Sequence, residues 1–147
     1  MPREPNLIII ADDDRDDSLY LLTALLSLPL ELTIVTVPNG ERLIKILEFV
    51  SPHLIFLDIN MPRRNGFEAL KHIRSKKNSA QPTIIMCSTS SSSSDLKMSQ
   101  ELGADLYVIK PNNIKTLNKM VEEIFRRDWS SNTNERIPDK FLLSHVQ

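Results

Sequence analysis

Apolar residues along the chain gather in five short runs, residues 7–11, 32–37, 54–57, 83–87 and 106–109, each rich in Ile, Val or Leu. Runs this short do not make a typical helix and suit strands buried on both faces, as in a parallel sheet. Between them, apolar residues return at helical spacing. Leu19, Leu22, Leu25 and Leu26 form one stripe ahead of Pro29, and Leu43, Ile44, Leu47 and Val50 form another ahead of Pro52. Phe67, Leu70 and Ile73 make a third. Leu96 and Leu102 mark a sparse fourth, and Ile114, Leu117, Val121, Ile124 and Phe125 the clearest. Five strands alternating with five helices over residues 6–127 predict an α/β fold with a parallel sheet and right-handed crossovers. The punctuation agrees: Asn39-Gly40 and Asn65-Gly66 can open helices, Gly103 can close one, and Asn112 or Asn113 can cap the last.

Two segments stand outside this rhythm. Residues 88–94, Ser-Thr followed by five serines, lie between a strand and a helix and read as a mobile loop inside the domain. Residues 128–147 are too few for a second domain; they begin polar and carry Phe141, Leu142 and Leu143 near their end. With Trp129 these read as a tail that packs on the body or on a partner.

Composition narrows the function. The chain has 147 residues, 41% hydrophobic and 25% charged, which fits one soluble domain. A net charge of −1 argues against a dedicated nucleic-acid binder, which carries a basic face. The single cysteine, Cys87, excludes an internal disulfide and a Cys-rich zinc site. No apolar run is long enough to cross a membrane, and Met1–Asn6 has no apolar signal-peptide core, so the cytoplasm is the expected location.

In open parallel sheets, ligands bind beyond the carboxyl ends of the strands. Asp12, Asp13 and Asp14 follow the first run, Asp58 closes the third, Ser88 and Thr89 follow the fourth, and Lys110-Pro111 follow the fifth. Two carboxylates about 4 Å apart repel by about 4 kcal/mol at an intermediate dielectric. A divalent cation reverses that sign, and Mg2+ prefers such hard oxygen ligands, while no His or Cys cluster points to zinc. Asp14, one step beyond the pair, suits a helix cap, as do Asp16 and Asp17. A metal beside a carboxylate, a hydroxyl and a lysine suggests phosphoryl transfer, with Asp58 as nucleophile and Lys110 and Ser88 on the phosphoryl oxygens. No glycine-rich phosphate loop is present, so the phosphoryl group must come from a partner or a small donor.

These residues resemble the receiver domain of two-component response regulators over residues 6–127. Asp12 and Asp13 match the acidic pair. Asp58, Asn60, Met61, Pro62 and Gly66 match the phosphoacceptor pattern D-x-N-M-P-x-x-x-G. Ser88, Lys110 and Pro111 match the later strand-end positions, and Tyr107 matches the aromatic switch. The resemblance implies a three-layer, doubly wound fold with strand order 2-1-3-4-5. It implies Mg2+ held by Asp13 directly, by Asp12 mainly through water, by Asp58 and by the Asn60 carbonyl. It implies a cis Lys110–Pro111 bond that helps aim the lysine. Phosphorylation would draw Ser88 toward the phosphoryl group and turn Tyr107 inward, changing the face made by the fourth helix, fifth strand and fifth helix.

The implied partners are a sensor histidine kinase or phosphotransfer protein, a downstream protein on that face, and a second copy of the chain if the face makes a homodimer. The only catalysis expected is the chain's own phosphorylation and dephosphorylation. The serine run departs from the family pattern, as does Ser90, which lacks the charge often found there; both bear on phosphoryl lifetime and on the start of the fourth helix. Arg63 and Arg64 sit in the loop after Asp58, where they could attract phosphate or contact a kinase. Two readings compete: a domain that binds partners without phosphorylation, and a Mg2+-dependent aspartyl-phosphate enzyme acting on small substrates, for which Asp12 and Asp14 have the spacing but no cap domain fits.

Overall fold

The computed structural model describes residues 4–77, 80–127 and 141–143. Strands β1 (Glu4–Ala11), β2 (Thr33–Val37), β3 (Pro52–Asp58), β4 (Thr83–Ser88) and β5 (Leu106–Ile109) alternate with helices α1 (Arg15–Leu26), α2 (Gly40–Ile46), α3 (Gly66–Ser75), α4 (Ser93–Glu101) and α5 (Ile114–Arg126). A short sixth strand, β6 (Leu142–Leu143), comes from the tail. The sheet is parallel in the order β2-β1-β3-β4-β5-β6, so the expected five-strand order holds and the tail extends it by one. Trp129 falls outside the described residues.

Alternation along the strands divides the core between two faces. Ile9, Ile55, Leu57, Ile84, Met86 and Tyr107 face one side, with Leu43 of α2 and Leu70 and Ile73 of α3. Ile8, Ile10, Phe56, Ile85 and Val108 face the other, with Leu25 of α1 and Val121 and Ile124 of α5. Burying each such side chain contributes about 1.5–3 kcal/mol, so a sheet covered on both faces needs the unbroken apolar runs seen in the sequence.

The helix stripes need one correction. Leu19 and Leu26 of α1 are exposed, and so is Ile114 of α5. The inward side of α1 carries Leu21, Leu22, Ala24 and Leu25, with Leu28 just past its end, so Leu22 and Leu25 of the expected stripe do pack inward. On α5, Thr116 and Met120 are buried, and Val121 and Ile124 are as expected.

The caps explain the boundaries. Asp14 caps α1 by accepting from the N–H groups of Asp16 and Asp17. Asn39 caps α2, Asn113 caps α5, and Asn65 forms a capping box with Glu68 on α3. Gly103, with φ +97°, follows α4 in the left-handed conformation that glycine tolerates best. The serine run is not bare loop. Ser88 Oγ accepts from Ser90 N–H, Ser90 Oγ from Ser92 N–H, and Ser92 Oγ from Asp95 N–H as the cap of α4. Each hydroxyl satisfies the donor that the next turn would otherwise leave open.

Candidate functional site

The carboxyl ends of β1 and β3 lie side by side, with Ala11 opposite Leu57 in register. Asp12 and Asp13 leave β1 and Asp58 ends β3, and one carboxylate oxygen from each lies within 4.8 Å of the other two. Asp12 is 9% exposed and Asp58 6%, so two of the three charges are nearly enclosed. Asp12 is held in place by accepting from the Asp14 N–H at 2.9 Å.

Lys110, just past β5, answers this charge. Its Nζ donates to Asp12 at 2.8 Å and to Asp17 at 2.9 Å, and lies 3.7 Å from Asp58. Burial by itself would depress the lysine's pKa, but the bonds to Asp12 and Asp17 and the charge of Asp58 raise it well above its ordinary value. Burial pushes Asp58 up to about 7; Lys110 opposes that rise, the charge of Asp12 adds to it, and a hydrogen bond from the Asn60 backbone counters it.

The Lys110–Pro111 bond is trans, not cis as expected. The lysine is aimed instead by its own N–H on the Ser88 carbonyl at 2.8 Å and by its two carboxylates. Asp17 was not read from the sequence as part of this site. The signal was available: with Asp14 as cap, Asp17 falls in the first turn of α1, facing the strand ends.

Gly66 explains the last position of the phosphoacceptor pattern. Its N–H donates to the Ile59 carbonyl at 2.8 Å, and a Cβ there would collide with the Asp58 carbonyl and lie 2.8 Å from Ile59 Cα. Only glycine lets α3 start this close to the strand that carries Asp58. Arg63 and Arg64 have positive φ, 49° and 75°, and their carbonyls accept from the N–H groups of Glu41 and Gly40 at the start of α2. Two residues in a conformation costly for arginine thus serve α2 as backbone acceptors.

Ser88, 1% exposed, ends β4 beside Asp58, whose register partner is Cys87. Tyr107 is fully buried, and its hydroxyl donates to the Ser90 carbonyl at 2.8 Å. Burial raises its pKa. Cys87, next to the site, is buried and pushed up to about 12. The structure therefore brings Asp12, Asp13, Asp58 and Lys110 together, sets Ser88 next to them in the sheet, and turns Tyr107 inward.

The family model of the response regulator receiver domain matches residues 8–122. The chain belongs to the receiver family of response regulators. It is 36% identical over 129 residues to the transcriptional regulatory protein CpxR of Escherichia coli, covering 85% of this chain and 52% of CpxR. It is 31% identical over 144 residues to the probable transcriptional regulator ycf27 of Porphyra purpurea, covering 98% of this chain and 57% of that protein. The receiver thus spans about half the length of these relatives. Among solved structures it resembles the Mn2+-bound response regulator Rcp1, with TM-score 0.74 and 27% identity over 82% of this chain and 91% of that one. It also resembles the phosphorylated cyanobacterial phytochrome response regulator RcpA, with TM-score 0.76 and 27% identity over 81% of this chain and 90% of that one. Among the described residues, no helix of the receiver is long and apolar enough to cross a membrane.

Proposed function

We propose that Asp58 is the phosphoacceptor of this receiver and that a histidine kinase or histidine phosphotransfer protein is the donor. A carboxylate oxygen of Asp58 attacks the phosphorus of a phosphohistidine. The P–N bond breaks, an acyl phosphate P–O bond forms, and the imidazole nitrogen takes up a proton. Water later cleaves the acyl phosphate. Lys110 shifts from the Asp12–Asp17 pair toward the new phosphoryl oxygens, and the Ser88 hydroxyl donates to another. The observation that carries this reading is the enclosed Asp58 carboxylate, 3.7 Å from Lys110 Nζ, with one oxygen within 4.8 Å of a carboxylate oxygen of Asp12 and of Asp13.

The donor set also fits a divalent cation: hard oxygens from Asp12, Asp13 and Asp58, with the Asn60 carbonyl as a fourth ligand, suit Mg2+. Bound there, Mg2+ would offset the crowded negative charge and keep Asp58 ionised at neutral pH. Residues 6–127 form the signalling unit and residues 128–147 a tail. The cytoplasm, where kinase and donor would meet it, is the proposed location. A downstream protein reads the face of α4, β5 and α5, and the chain's own turnover is limited to its phosphoryl group.

The test is intact mass after incubation with acetyl phosphate. The wild type with Mg2+ should gain one phosphoryl group, and Asp58→Ala, or wild type with EDTA, should gain none. If neither acetyl phosphate nor beryllofluoride modifies the wild type, a phosphorylation-independent binding domain becomes the better account.

A further inference from the structure

The outer edge of β5 would expose unpaired N–H and C=O groups, a template for any extended strand. In this chain the tail takes that place. Leu142 lies opposite Tyr107 and Leu143 opposite Val108, and the Phe141 carbonyl accepts from the Tyr107 N–H at 2.8 Å. Phe141 is 5% exposed and packs in the same core cluster as Tyr107. Leu142, opposite the tyrosine, shares its sheet face. Tyr107 is thus held twice: its backbone by the tail and its hydroxyl by the Ser90 carbonyl in the loop before α4. The inward position that the family pattern assigns to the phosphorylated state is occupied here without a phosphoryl group.

We propose that residues 141–143 are a built-in latch, occupying the strand-accepting edge of β5 and keeping Tyr107 inward. The inference deepens the Proposed function, because it rests on Tyr107 being the switch of that signalling face. A partner that adds a strand to β5 must first displace β6. The tail meets β5 over only two register pairs, so that displacement is within reach of a competing segment.

The experiment uses the full chain labelled with 3-fluorotyrosine. Its two tyrosines differ sharply in exposure, Tyr20 at 46% and Tyr107 at 0%, and Tyr20→Phe assigns the two 19F resonances. In wild type without Mg2+, the Tyr107 resonance should show no solvent isotope shift between H2O and D2O. Phe141→Asp places a charge in the buried tail contact. Leu143→Pro removes a backbone donor from β6 without adding charge, and serves if the first variant fails to fold. Both should move the Tyr107 resonance toward that of Tyr20 and give it an isotope shift. The latch is overturned if a folded variant keeps the wild-type resonance, or if wild-type Tyr107 already shows the isotope shift. Beryllofluoride with Mg2+ should then return the variants' Tyr107 to the protected position and leave wild type unchanged. Absence of any beryllofluoride response in the variants would count against Asp58 as phosphoacceptor, while the latch is decided by the spectra taken before it is added.

Discussion

Replacing Asp58 with asparagine should make the metal-free protein more stable, and by an amount that grows with pH. The Asp58 carboxyl is buried beside Asp12 and is pushed from 3.8 up to about 7. A carboxyl whose folded pKa lies above its unfolded one favours folding at low pH. That contribution is lost as pH rises between the two values, because the unfolded chain releases the proton first. A shift of about three pH units corresponds to about 4 kcal/mol once Asp58 is fully ionised. At pH 5 the linkage leaves roughly 2 kcal/mol of that cost, and at pH 8 nearly all of it. Asparagine keeps the shape and carries no charge. Urea unfolding of wild type and Asp58→Asn in EDTA, from pH 5 to pH 8, should show the variant's advantage growing by about 2–3 kcal/mol across the range. Adding Mg2+ should erase most of it by stabilising the wild type through binding. Parallel stability curves for the two proteins, or a variant less stable at pH 8, would refute the claim that buried charge crowding governs this site.

Removing the opposite charge should have the opposite effect. Lys110→Met leaves Asp12, Asp17 and Asp58 without their shared cation, so urea unfolding at pH 7 in EDTA should show a loss of about 3 kcal/mol, partly recovered by Mg2+. Arg74 bonds to Gly103, Gln81, Pro82 and Asp105, joining α3 to the starts of β4 and β5; Arg74→Ala should cost about 3 kcal/mol in the same assay without changing acetyl phosphate labelling. Gly66→Ala forces a methyl against the Asp58 backbone and should cost about 1–3 kcal/mol and slow labelling of Asp58. Cys87, pushed up to about 12 from 9.0, should carry about a thousandfold less thiolate than a free thiol, so native protein at pH 8 should resist a thiol reagent that labels the unfolded chain at once.

Much of this was legible in the sequence because the fold leaves few choices. A sheet covered on both faces demands continuous apolar runs, and the residue after each run must sit at the strand end, so Asp12, Asp58, Ser88 and Lys110 could be placed before any coordinates. The caps followed from side-chain chemistry, as Asn39, Asn65 and Asn113 show. What escaped depends on contacts between distant segments. Half of the α1 stripe was legible: Leu22 and Leu25 pack inward, but Leu19 and Leu26 do not, because the leucines of this helix satisfy two faces and only packing against α5 selects one. Asp17 as a partner of Lys110 joins residues 93 positions apart. The serine run read as a mobile loop because composition does not show that the hydroxyls of Ser88, Ser90 and Ser92 each accept from a backbone N–H further on. The apolar Phe141, Leu142 and Leu143 pointed to packing, but not to strand pairing with Tyr107, since two residues carry no period.

The most direct test of the central claim is to locate the phosphoryl group. Wild-type protein would be treated with Mg2+ and acetyl phosphate, reduced with borohydride, which converts an aspartyl phosphate to homoserine, and mapped by peptide mass spectrometry. Homoserine at position 58, absent without Mg2+ and absent when Asp58 is asparagine, is the predicted result. Homoserine at Asp12 or Asp13 instead, or none anywhere after labelling conditions that modify a control receiver, would contradict it.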